Sequence, residues 1–207
     1  MKRLHRILLV TTLALVLGLA GSGTAGAGEM ITSGVRHADG VYHLTLEMRL
    51  RGRADLLRSL ILDFDHLEQL NPTIVASARL TSPNPDVARM RITLRDCVLI
   101  FCPQLVQTQE VRQSNDGSLL VTILPEASDY SAGRSVWTFT QEENQITRIR
   151  VEAMLAPRIF IPPLVGPAMV GQLFQTRSEE MLANLETLAR DLELAARTPE
   201  MDSRSRG

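Results

Sequence analysis

The sequence predicts an α+β domain: a curved, seven-stranded antiparallel sheet wrapped on one long C-terminal helix, with two short helices after the first strand. Three observations carry this. Residues 41–51 and six later segments alternate or run apolar at strand length, separated by turn-forming residues. Residues 54–70, between the first two strands, change to helical spacing. In the stretch from residue 156 to just past 191, Val170, Phe174, Met181, Leu185, Leu188 and Leu192 form the stripe of a helix buried on one side. A sheet that is apolar on one face must bury it, and this helix is the only large partner left to cover it.

The chain opens with Met1-Lys2-Arg3-Leu4-His5-Arg6, an uncharged apolar run over residues 7–20, and small residues ending Ala25-Gly26-Ala27. A basic start, a short apolar core and an A-x-A site describe a secretory signal peptide cleaved after Ala27, so the expected location is periplasmic or secreted. The run is short for a membrane span. A glycine pattern at residues 21–26 matches a dinucleotide-binding fingerprint only literally, because it follows no strand and opens no helix. The expected organisation is a signal peptide at 1–27, an unpatterned lead-in at 28–40, the domain at 41–191 and a disordered polar tail at 192–207. About 180 residues after the signal suffice for one domain with a sizeable core.

Lys and Arg number 22 against 23 Asp and Glu. Without Lys2, Arg3 and Arg6 the balance falls to about −4, which is no footprint of a nucleic-acid binder.

The first strand places Tyr42, Leu44, Leu46, Met48 and Leu50 on one face and His43, Thr45, Glu47 and Arg49 on the other. Gly52 breaks it. Leu56, Leu57, Leu60, Ile61 and Phe64, then Leu67 and Leu70, form the helical segment; Asp63 and Asp65 mark a bend within it, and Asn71-Pro72 ends it. The second strand covers 73–81 and the third 87–97, where Met90, Ile92 and Leu94 oppose Arg89, Arg91 and Arg95. The fourth, 104–113, has no clear phase, because Gln107 and Gln109 alternate with Thr108 and Glu110. Ser114-Asn115-Asp116-Gly117 signals a hairpin into the fifth, 118–124. Trp137 and Phe139 share a face of the sixth, 132–141. In the seventh, Ile149, Val151, Ala153 and Leu155 oppose Arg148, Arg150 and Glu152.

This element order, the stretch Leu60-Ile61-Leu62-Asp63-Phe64-Asp65-His66-Leu67-Glu68-Gln69-Leu70-Asn71-Pro72 and the closing helix resemble the START-like superfamily of helix-grip proteins, which includes polyketide cyclases and lipid-transfer domains. The resemblance covers nearly all of residues 41–191. It implies a cavity for a hydrophobic ligand between sheet and helix. No catalytic motif of that superfamily maps onto this chain residue by residue.

In an up-and-down meander alternate turns share an end. Residues 82–86, 114–117 and 142–145 gather polar turns at one end. The other gathers Val98-Leu99-Ile100-Phe101, residues 125–131 and the run with Ile159, Phe160 and Ile161, apolar where turns are ordinarily polar. Two readings follow: these residues pack together and seal the core, or they form the mouth of the cavity and touch a membrane transiently. Cys97 and Cys102 bracket the first apolar turn, and in an exported protein they read as a disulfide holding that tip in shape.

Two charged residues break apolar faces. Arg177 lies in the helix stripe between Phe174 and Met181, and Asp96 shares the phase of Met90, Ile92 and Leu94. Buried charges need partners, so the two meet each other or each meets something else. A structural salt bridge is one outcome; an arginine gripping an anionic head is the other. His37, His43 and His66 are scattered, and no residue set has metal-ligand or nucleophile–base spacing, so no metal or cofactor is implied.

The expected ligand is an apolar small molecule or lipid. Its expected contacts are Met90, Ile92, Leu94, Asp96, Trp137, Phe139, Val151, Val170, Phe174, Arg177 and Met181. A cyclase- or isomerase-like enzyme using Asp96 as general base is one alternative, and an interaction module whose cavity is filled by its own side chains is another.

Overall fold

The computed structural model describes residues 28–97, 100–159 and 166–204. The expected signal segment at 1–27, and Val98, Leu99, Phe160 and Ile161 of the expected mouth, lie outside the described residues. The fold is α+β, a single antiparallel sheet under a long C-terminal helix. Its strands are β1 (Glu29–Ala38), β2 (Val41–Arg51), β3 (Ile74–Leu80), β4 (Ala88–Arg95), β5 (Gln104–Gln113), β6 (Leu119–Ile123), β7 (Tyr130–Gln141) and β8 (Ile146–Pro157). They lie in the order β1-β2-β8-β7-β6-β5-β4-β3. Helix α1 (Ala54–Ile61) follows β2, and α2 (Gly166–Arg204) ends the fold.

The sheet has eight strands, where the sequence predicts seven. The added strand, β1, occupies the segment expected to be an unpatterned lead-in. Ala38 pairs directly with Val41, leaving a loop of Asp39 and Gly40 with φ of 52° and 77°. Two left-handed residues in a two-residue loop are the geometry that matches strand twist, and Asp-Gly is a sequence made for it. The strand itself reads poorly because it is an edge, exposed along most of its length.

A second correction concerns the pair of short helices. Only α1 is α-helical; the continuation is a single 3₁₀ turn at Leu67–Gln69. Asp65 Oδ1 accepts the Arg79 N–H at 2.9 Å, and Ser77 Oγ accepts the Leu67 N–H at 3.2 Å. This segment is therefore tied to edge strand β3, with Phe64, Leu67 and Leu70 turned inward. Helix α2 runs on from Asp191 to Arg204, where the sequence predicts a disordered tail.

Alternation does the rest. Every second residue of β2 from Tyr42 to Leu50 is buried, as are Thr147, Ile149 and Val151 of β8. The phase of β5 resolves with Leu105, Gln107, Gln109 and Val111 buried on the inner face. Thr108 faces outward yet is also buried, because the 124–129 connection covers it: its Oγ1 donates to the Ala127 carbonyl at 2.8 Å. At the polar-turn end the core is closed. Leu50, Leu57, Ile149, Leu182, Leu185 and Ala189 there are all 0 % exposed. The outward arginines are paired across strands, Arg89 with Glu110, and Arg148 and Arg150 with Glu47.

Candidate ligand cavity

Between the sheet and α2 the packing opens into two adjoining chambers. The inner one has a volume of about 210 Å³. Its sheet wall includes Leu44, Met90, Ile92, Gln107, Gln109, Val121, Ser135, Trp137 and Val151; Ile61, Leu62, Phe64, Leu67 and Leu70 form a second wall, and Ser178 and Met181 of α2 close it. The outer one, about 170 Å³, is lined by Leu94, Asp96, Phe101, Leu105, Tyr130, Ile159, Val170, Phe174 and Arg177 among others. Gln107, Leu155 and Ser178 border both. An apolar cavity of about 150 Å³ is enough to take benzene, so each chamber has room for a ring.

The segment between α1 and β3 is placed by side-chain bonds to helix backbone and back. Asn71 Nδ2 donates to the Arg177 carbonyl at 3.4 Å, and Asn184 Nδ2 donates to the Leu70 carbonyl at 3.0 Å. Asn71 Oδ1 also accepts from Thr73 N–H and Oγ1. These bonds hold the apolar side of residues 61–70 against the cavity.

Of the predicted contact residues, Met90, Ile92, Trp137, Val151 and Met181 line the inner chamber, and Leu94, Asp96, Val170, Phe174 and Arg177 the outer. Phe139 lines neither. Its phase matches Trp137, but it pairs with Ile149 toward the closed end, and the Arg58 guanidinium lies 5.2 Å above its ring. Alternation gives the face of a strand and says nothing of depth along it. Among the residues missed are the wall of residues 61–70 and the polar Gln107, Gln109, Ser135 and Ser178; the signal for the two glutamines was the run of alternating polar residues that obscured the phase of β5.

The two charges of the outer chamber meet. Arg177 Nε and Nη2 donate to Asp96 Oδ2 and Oδ1 at 2.6 and 3.1 Å, a two-point pair, and Nη1 donates to Glu180 at 2.6 Å. Bonding to Asp96, then Glu180, raises the arginine pKa and keeps it protonated. Asp96 Oδ1 also accepts the Cys97 N–H at 2.8 Å. Cys97 and Cys102 are disulfide-bonded, closing the turn that carries Phe101 and Ile100. Phe101 packs with Tyr42, Val170 and Phe174, and Ile159 with Leu105, Ile123 and Tyr130, while Ile100 is fully exposed at 100 %. Burial and the nearby Asp129 push the Tyr130 hydroxyl pKa up, so this phenol stays neutral.

No protein-family model matches the sequence, and no curated protein sequence matches it. Solved structures do. A STAR-related lipid transfer protein from Xanthomonas axonopodis aligns with a TM-score of 0.60 at 15% identity, over 80% of this chain and 99% of that one. The chain has the START-like helix-grip fold. A START superfamily protein from Mycobacterium smegmatis has the same helix-grip arrangement, with a TM-score of 0.56 and 18% identity over 72% of this chain and 98% of that one. So does an aromatase/cyclase from a Streptomyces species, with a TM-score of 0.54 and 12% identity over 74% and 94%. Identities this low establish the helix-grip fold and leave the cavity to be argued from this chain's own residues.

Proposed function

We propose that this protein is an exported carrier or binding protein for an apolar small molecule or lipid, held between the sheet and α2. The observation that carries the reading is the cavity: two adjoining chambers lined mainly by apolar side chains, inside a domain whose other end is packed solid. Ligand enters at the end bearing Phe101 and Ile159, and the exposed Ile100 tip makes transient contact with a membrane. The disulfide beside that tip, together with the signal-like start, supports export to the periplasm or beyond. The likeness in fold to a STAR-related lipid transfer protein favours the same reading.

The enzymatic alternative needs a free carboxylate, and Asp96 offers none: both oxygens accept from Arg177, and one also from the Cys97 N–H. The test is mass spectrometry of the organic extract from protein isolated from the periplasm, beside a Phe174→Trp variant that fills the outer chamber. A stoichiometric apolar molecule present in the parent and lost in the variant is the expected result. A parent that is empty and takes up no hydrophobic dye overturns it in favour of a self-filled interaction module.

A further inference from the structure

The inner chamber carries polar groups that the protein itself does not use. Gln107 and Gln109 occupy successive inward positions of β5 and are 9 % and 6 % exposed. Both line the chamber, and neither carboxamide makes a hydrogen bond to a described residue. Each offers two donors and an acceptor oxygen. Their amide atoms are open to the chamber and not sealed in the core, and because a desolvated polar group without a partner costs free energy, the chamber's occupant has to supply one. Ser135 stands on β7, also facing in. Its Oγ accepts the Trp137 Nε1–H at 3.0 Å, and its own hydroxyl proton meets no described acceptor.

The charge balance decides what the partner is. Among the described residues no Asp, Glu, Lys, Arg or His lines the inner chamber, so an ion there is desolvated with nothing to neutralise it. Arg177 and Asp96 lie in the outer chamber and are spent on each other. What fits is a neutral molecule with an oxygen to meet the carboxamides and an apolar body for the rest. The volume, about 210 Å³, exceeds the 150 Å³ or so that accepts benzene, which sets the body at one or two fused rings. Trp137, Met90 and Ile92 form the apolar surface beside the carboxamides.

We infer that the inner chamber is a binding site for an uncharged ring compound bearing a carbonyl or hydroxyl oxygen, with that oxygen held by Gln107 and Gln109. The inference rests on the carrier reading and deepens it. Gln107 borders both chambers, so any chain attached to the ring runs on into the outer one.

The test uses three probes of one shape: naphthalene, 2-naphthol and 2-naphthoate. Trp137 is the only tryptophan of the chain and lines the chamber, so its fluorescence reports occupancy, with calorimetry as a second readout. The expected result is 2-naphthol binding about tenfold or more tighter than naphthalene, and 2-naphthoate weakest of the three. In Gln107→Met/Gln109→Met that preference shrinks to within about twofold while naphthalene still binds. The double variant also melts no lower than the parent, because it removes two unpartnered polar groups and keeps their volume. Naphthalene binding as well as 2-naphthol in the parent overturns the inference: internal water then satisfies the carboxamides. A preference that survives in the variant, or 2-naphthoate as the tightest probe, overturns it too. If none of the three binds while the parent takes up a hydrophobic dye, this inference falls and the carrier reading stands; if the dye is refused as well, both fall.

Discussion

The two ends of this sheet are packed to different standards, although the same helix covers both. Toward the closed end α2 presents Leu182, Leu185 and Ala189, all 0 % exposed, against Leu50, Leu57 and Ile149. Toward the other end, the proposed mouth, it presents Phe174 and Arg177, which are half-buried and border the outer chamber. One apolar stripe thus serves as core at one end and as cavity wall at the other. The first end carries stability, and the second leaves the space that the proposed ligand would fill.

Truncating side chains at each end tests this division most severely. Leu185→Ala opens a void in a sealed core and is expected to cost about 2–5 kcal/mol in denaturant unfolding. Phe174→Ala enlarges a space that already exists, leaves Tyr42 without its edge-on ring neighbour at 5.2 Å, and is expected to cost about 1 kcal/mol. Apolar-ligand affinity should change in the second variant far more than in the first. Equal stability losses at the two sites would mean that the mouth is core after all.

A smaller effect is expected from the charges at the mouth. Arg177 and Asp96 join α2 to the disulfide-closed turn, and both are partly exposed. A double-mutant cycle with Arg177→Met and Asp96→Asn should give a coupling of about 1 kcal/mol, above that of an exposed pair because the contact is two-pointed. A coupling near zero, with anionic probes binding the parent, would make Arg177 a ligand group.

How far the sequence reached follows the same contrast. The stripe on α2 from Val170 to Leu188 and the alternation of β2, β4, β7 and β8 were legible, because periodicity reports which face is buried; Leu192, expected to extend the stripe, is instead 44 % exposed. The Asp96–Arg177 contact was legible as a possibility, since two charges on apolar faces need partners. Edge strand β1 was hidden by its exposed, weakly patterned residues, though Asp39-Gly40 announced its turn. The walls built by residues 61–70 and the inward glutamines of β5 were hidden for another reason. A polar residue facing a cavity breaks the pattern that identifies a strand's inner face, so residues suited to holding a polar ligand group are the ones periodicity discards.

The smallest expected effect lies on the outer side of that same wall. His66 Nδ1 sits 2.9 Å from Asp63 Oδ2, and this hydrogen bond raises the histidine pKa above its ordinary 6.5. A raised folded-state pKa means the pair stabilises the protein fully below the unfolded value, and that contribution is lost as pH rises through the folded one. Both side chains are largely exposed, so the change in stability just above pH 6.5 is slight. An NMR titration should place the His66 midpoint above 6.5, and Asp63→Asn should bring it back. Ligand affinity is expected to stay level across this window, because the segment's inward residues, Phe64 and Leu67, are anchored by apolar burial and not by the surface pair. An affinity that follows the His66 titration would show instead that this wall moves when ligand enters. The rigid part of the molecule would then shrink to the closed end alone.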